Sequence, residues 1–266
     1  IASGADITAD GAFLQDGAGE VSTAGNIVTT GDAITFTTAV TLTDAESVVM
    51  TSAGGAILFS STLDGTTDFL EDLTLTAGAG NITFTGIVGG TKDLGDIDIV
   101  TAATVLFSAN LSANTILQQA GSVLTTFGDA VVLEAAGGMD ITGTLITFAA
   151  DATVNTLAAG NGGTVTLTNS GTLTISAGAD MTLDGAFLQD GAGAVTTSGD
   201  IVTTDANITF TTAVTLGTSV DIDSTGAAAG YILFSSTVAT AGFNLVLDGG
   251  AAGNVTVGAV TGGGDM

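Results

Sequence analysis

Residues 5–42 return almost unchanged at 179–216, identical at 29 of 38 positions with no gap. Agreement that dense over a fixed offset of 174 residues is an internal repeat. Weaker echoes follow it, ILFSST at 57–62 and 232–237, and GNITFTGIVGG at 80–90 against GNVTVGAVTGG at 253–263. Residues 1–174 therefore read as one long sequence repeat and 175–266 as a partial second copy, within a single continuous solenoid over 1–266. A chain that copies itself is building length from a stacked unit, because each unit buries its apolar face only against its neighbours.

The unit is legible as strands. Short apolar–x–apolar triplets recur throughout, among them Ile34-Thr35-Phe36, Ile57-Leu58-Phe59, Ile82-Thr83-Phe84, Ile97-Asp98-Ile99, Val105-Leu106-Phe107 and Leu173-Thr174-Ile175. A period of two over so few residues marks strands with one buried face. Glu, Lys and Arg are nearly missing, so helices longer than a turn or two are not expected. The strongest triplets begin at Ile34, Ile57, Ile82 and Val105, and two more short strands fit inside each interval, as at Val40 and Val48. Three short strands per coil of about 20–25 residues predict an all-β, right-handed parallel β-helix. Gly-Asn or Gly-Asp stands at Gly25-Asn26, Gly80-Asn81, Gly95-Asp96, Gly128-Asp129, Gly199-Asp200 and Gly253-Asn254. These pairs are expected to be corners, with Gly taking positive φ and the Asn amides stacking in a ladder.

Composition removes whole classes of chemistry. No Cys or His is present, which excludes disulfides, thiol chemistry, imidazole bases and the usual zinc or copper ligands. Lys92 is the one cation against 27 Asp and Glu, for a formal charge of −26, so no basic groove for nucleic acid can be built. Apolar runs stop short of a membrane span, and no membrane insertion is expected.

The repeat units DGAFLQDGAGAVTTSGDIVTTDANITFTTAVTL and GNITFTGIVGGT resemble those of large secreted bacterial repeat proteins. These are β-helix adhesins of the filamentous-haemagglutinin-like and autotransporter-like kind. The resemblance implies export, an extracellular or cell-surface location, and a role in adhesion or matrix. It carries no catalytic motif.

Candidate sites are few. Asp96/Asp98 and Asp221/Asp223 each set two carboxylates on one strand face, and Asp93 stands beside the first pair. Hard oxygen ligands of this kind suit Ca²⁺, although neither the calcium-solenoid nonapeptide nor an EF-hand loop occurs. The same pairs lack the aromatic and cationic surroundings of a polysaccharide-cleaving site, so no catalytic residue is assigned. The TxT pairs at Thr35/Thr37, Thr83/Thr85, Thr166/Thr168 and Thr209/Thr211 are interrupted by Leu58/Ser60 and Leu106/Ser108, which breaks any ice-ordering array.

The expectation is a structural, non-enzymatic segment of a bacterial surface fibre, sheath, matrix filament or adhesin stalk. A carbohydrate- or host-binding adhesin module is the alternative, and a polysaccharide-active β-helix enzyme a distant third. Open solenoid ends expose unpaired backbone and core. The expected partners are therefore other copies of the chain, joined axially or laterally, or further repeats of a longer chain.

Overall fold

The computed structural model describes residues 1–43, 47–133, 138–156, 163–224, 226 and 230–263. The described residues form strands and turns, with no helix among them. The chain divides into two compact units, Ile1–Val132 and Leu133–Met266. Each unit is a parallel β-solenoid with three strand-bearing faces per coil.

In unit 1 the Phe face runs through Phe13–Gln15, Ile34–Phe36, Ile57–Phe59, Ile82–Phe84, residues 105–107 and Gly121–Phe127, all in parallel register. The Asx face runs through Ile7–Ala9, Ile27–Thr29, Val48–Thr51, Leu73–Thr76, residues 97–101 and Leu111–Gln118. The Val face stacks Val21–Thr23, Val40–Leu42 and Leu63–Asp64, then continues through single bridges to Val88 and Leu111. Unit 2 repeats the plan. Its Phe face holds Phe187–Gln189, Ile208–Phe210 and Tyr231–Phe234, and its Asx face holds Met181–Leu183, Ile201–Thr203 and Val220–Asp223. The sequence copy is thus a structural copy, strand for strand: Ile7–Ala9 returns as Met181–Leu183, and Phe13–Gln15 as Phe187–Gln189.

Alternation sets what is buried. Ile34 and Phe36 point in and are fully buried, while Thr35 between them stays partly exposed. Because parallel register repeats the same position in every coil, like side chains stack. Phe36, Phe59, Phe84, Phe107 and Phe127 form a column with ring centroids 5.3, 5.1, 4.6 and 5.4 Å apart and planes within 9°. That spacing follows the coil rise of about 4.8 Å, so each ring covers the next. Above them Ile34, Ile57, Ile82 and Val105 form a parallel aliphatic column. Each such fully buried side chain contributes about 1.5–3 kcal/mol.

Two local expectations are corrected. The triplets Ile97–Ile99 and Val105–Phe107 are not separate strands but parts of one strand, Leu94–Phe107, which serves both the Asx and Phe faces. Its register shifts between Ala102 and Thr104, and this irregularity turns the corner without a glycine. The Gly of the six Gly-Asn and Gly-Asp pairs does not adopt positive φ at any of the six positions. Its role is close approach. A Cβ on Gly80 would stand 2.0 Å from the Gly55 carbonyl oxygen, and one on Gly199 would stand 2.7 Å from that of Ala179. The coils touch backbone to backbone there, which only glycine permits.

Candidate functional site

Of the acidic candidates, Asp96 and Asp98 act as hydrogen-bond acceptors on the solenoid surface, whereas Asp223 Oδ1 is buried without a partner. Asp96 Oδ1 accepts from Asn114 Nδ2 at 3.0 Å and Thr115 Oγ1 at 2.7 Å. Asp98 takes Gln119 Nε2 on both oxygens, at 3.0 and 2.9 Å. Asp93 contributes its backbone N–H to Asp68 Oδ1 at 3.3 Å. Asp221 and Asp223 lie on the Asx face of unit 2, in register with Val246 and Asp248 of the next coil. Among the described residues, no three Asp, Glu, His or Cys side chains gather as a metal-binding group. The chain sets Asp93, Asp96 and Asp98 on one stretch without joining them into a ligand set.

The expected ladder of buried Asn amides takes another form. Asn26 donates its backbone N–H to Asp6 Oδ1 at 2.9 Å, and Asn26 Oδ1 accepts the Val49 N–H at 2.8 Å. The same column reappears in unit 2, where Asp180 Oδ1 accepts from Asp200 N at 2.9 Å and Asp200 Oδ1 from Asp221 N at 2.7 Å. Each Asx oxygen therefore caps an N–H at the start of a strand in the neighbouring coil. Asn and Asp serve equally because only the shared carbonyl-type oxygen is used, which is why Asn26 and Asp200 interchange between the copies.

Asp rather than Asn in that column has an electrostatic cost. Partial burial, then the negative charges of Asp200, Asp223 and Asp248, hold the Asp221 carboxyl above its ordinary value. A carboxyl raised in the fold disfavours folding when ionised, so that cost is present at neutral pH and fades as pH falls through the carboxylate range. Asp68 behaves oppositely: its hydrogen bond from Lys92 Nζ holds it below the ordinary value. Its contribution is present at neutral pH and is lost on acidification. Asp221→Asn removes the charge from a side chain of nearly the same shape and leaves the backbone N–H bond to Asp200 in place. It is expected to raise stability at pH 7 by a few tenths of a kcal/mol, the range of screened surface charges. Urea melts at pH 7 and pH 4 check this, with the gain expected in full at pH 7 and diminished at pH 4.

One loop departs from the repeat. Residues 65–72 join Leu63–Asp64 to Leu73–Thr76, whereas the shorter segment 240–244 joins the equivalent strands of unit 2. The sequence comparison registers this only as a drift in offset. The loop is organised around Glu71, which is 2% exposed. Its carboxylate accepts from Thr66 Oγ1 and from the Thr67 N–H at 3.1 Å. Neighbouring segments tie it down: Lys92 Nζ meets Asp68 Oδ2 at 3.0 Å, and Thr91 N meets Asp64 Oδ1 at 2.7 Å. Lys92 is thus the loop's outer clasp, not an unpartnered surface residue. Phe69 sits at a φ of 65° and Leu70 is left 48% exposed. The loop thus holds an apolar side chain outward on a fastened frame, and the shorter equivalent segment of unit 2 also exposes one, Phe243.

The repeated FLQDGAG segment contains a device that alternation alone does not reveal. Gln189 is fully buried inside unit 2, in register with Leu167 and Phe210. Its Nε2 donates to Asn169 Oδ1 at 2.8 Å and Gly191 O at 3.1 Å, while Oε1 accepts from Thr211 N at 3.1 Å and Thr212 Oγ1 at 3.2 Å. Every amide group is used, as burial of an amide requires. Gln15 makes the equivalent bonds to Gly17 O at 2.8 Å, Thr37 N at 3.2 Å and Thr38 Oγ1 at 3.2 Å. The signal in the sequence is the constant spacing from Gln to a Thr-Thr pair, Gln15 to Thr37-Thr38 and Gln189 to Thr211-Thr212. Hydroxyls do the same work elsewhere: buried Thr23 and Thr197 each cap the carbonyl two residues on, both at 3.0 Å.

Comparison with protein-family models, with curated proteins and with solved structures returned no match.

Proposed function

We propose that this chain is a structural, non-catalytic β-solenoid segment of an extracellular bacterial surface fibre, sheath, matrix filament or adhesin stalk. The observation that carries the reading is the strand-for-strand copying of one coil plan, with Gln15 and Gln189 holding the same turns by the same bonds. The chain repeats a stacking unit, and a stacking unit makes length. The polar groups support this reading. Asp6, Asn26, Asp180 and Asp200 cap neighbouring coils, so these side chains serve the stack. Further repeats of a longer chain or other copies of the chain are the partners that such a stack accepts. Antibodies raised against residues 1–266 are expected to label intact producing cells and to decorate filaments in negative stain. Labelling that appears only after lysis overturns the surface reading.

A second reading, a carbohydrate- or host-binding adhesin module, is favoured by the loop 65–72. Leu70 projects from a loop locked by Glu71 and by the Lys92–Asp68 pair. Isolated stalks whose host-cell binding is lost on Leu70→Ser would select that reading over the scaffold.

A further inference from the structure

Unit 1 carries an uncharged outward column on its Phe face. Along its Phe face the outward residues in register are Leu14, Thr35, Leu58, Thr83, Leu106 and Thr126. Thr37, Ser60, Thr85 and Ser108 continue those strands two residues on, each donating its N–H to the coil before it. In a chain of formal charge −26, this column of six holds no carboxylate at all. The Asx face of the same unit carries Asp96 and Asp98 outward instead.

The column also alternates strictly, large apolar then small hydroxyl, over six coils. An even, alternating column complements itself when reversed. Turned end for end and laid face to face, a second copy sets Leu14 against Thr126, Thr35 against Leu106, and Leu58 against Thr83. Each leucine then meets a small residue, whereas the parallel, unstaggered arrangement sets leucine on leucine. Such a contact is isologous and closes as a two-fold dimer.

We propose that the Phe face of unit 1 is a lateral self-association surface whose occupant is a second copy of this chain, packed antiparallel. The proposal deepens the scaffold reading by naming the face through which solenoids meet side by side, and it rests on that reading for its role. Charge selects the occupant. With Lys92 as the one cation, the chain cannot join copies through salt bridges, so close approach needs a face without carboxylates. Size sets the strength. Six strands spaced about 4.8 Å apart, each presenting about 13 Å of chain, cover roughly 400 Å² per copy. That is about half of a standard interface, so association is weak. It strengthens with salt as the flanking carboxylates are screened.

Sedimentation velocity of the full chain, from about 10 to 500 μM at low and high salt, tests this. The wild type is expected to form dimers that salt favours. The double substitution Leu58→Asp with Leu106→Asp is expected to weaken dimerisation at least tenfold. The control pair Val49→Asp with Leu117→Asp adds equal charge on the Asx face and is expected to leave dimerisation within about twofold. Thr83→Leu adds no charge and fills the position facing Leu58, so it is expected to weaken the dimer as well. Circular dichroism checks that every variant keeps its strand signal. A wild type that stays monomeric at high salt, or a control pair that disrupts as strongly as the Phe-face pair, overturns the proposal. The outcome is read in solution whether or not antibodies label producing cells, so failure here and failure of the scaffold reading are separate results.

Discussion

Replacing Gly193 with alanine is expected to destabilise the protein by about 3 kcal/mol, while the same change at Gly19 leaves it within about 0.5 kcal/mol. The two glycines are the same residue of the same repeated turn, DGAG at 16–19 and 190–193. Neither adopts positive φ, so backbone strain does not distinguish them. Space does. A Cβ on Gly193 would stand 1.6 Å from the Gly171 carbonyl oxygen, a backbone atom with no freedom to swing aside. A Cβ on Gly19 would have no atom within 4 Å. The Gly19 variant also loses some unfolded-state freedom, which adds a small stabilising increment. Chemical denaturation of both variants, followed by circular dichroism, measures the pair. Equal costs at the two sites would mean that inter-coil contact is not what demands glycine in this turn.

The second large effect is expected in the aromatic column. Phe84 is buried between Phe59 and Phe107, at centroid distances of 5.1 and 4.6 Å, and alanine there leaves a cavity lined by both rings. A loss of about 3–5 kcal/mol is expected. Phe13 touches one ring, Phe36, at 5.3 Å and a tilt of 54°, and it is only half-buried. Phe13→Ala is therefore expected to cost less than half as much. Leucine at position 84 preserves most of the volume but not the stacking, so it separates the two terms. Phe84→Leu is expected to recover most of the alanine loss, leaving about 0.5–1.5 kcal/mol for the ring pairs. If Phe84→Leu is as damaging as Phe84→Ala, shape rather than volume governs the column.

These paired comparisons show what was legible along the chain and what was not. The period-two triplets announced the strands, and the 174-residue offset announced that whatever Phe13–Gln15 does, Phe187–Gln189 does again. Both signals are local: alternation follows from the pleat of a strand, and repetition needs only the string of residues. Exclusion of basic, thiol and imidazole chemistry was equally secure, because composition does not depend on the fold. The candidate acidic pairs were legible as pairs on one face. Their engagement was not, since the partners of Asp96 and Asp98 come from Asn114, Thr115 and Gln119 in a different coil.

Contacts between coils join residues about 20–25 positions apart, and those only the tertiary structure decided. Glutamine in FLQDGAG looks like a solvated turn residue until the next coil brings Thr211 and Thr212 onto its carbonyl oxygen. Glycine at the corners suggests φ freedom until stacking shows Gly55 O lying 2.0 Å from where a Gly80 Cβ would be. The loop 65–72 registers as a small offset drift, yet burial of Glu71 gives it a fixed shape. Sequence by itself determined the strand, its inward face and its recurrence, because those follow from one residue's relation to the next. Register between coils determined which glycine is irreplaceable, which amide is buried and which carboxylate is crowded, because those depend on what the stack lays above and below each position.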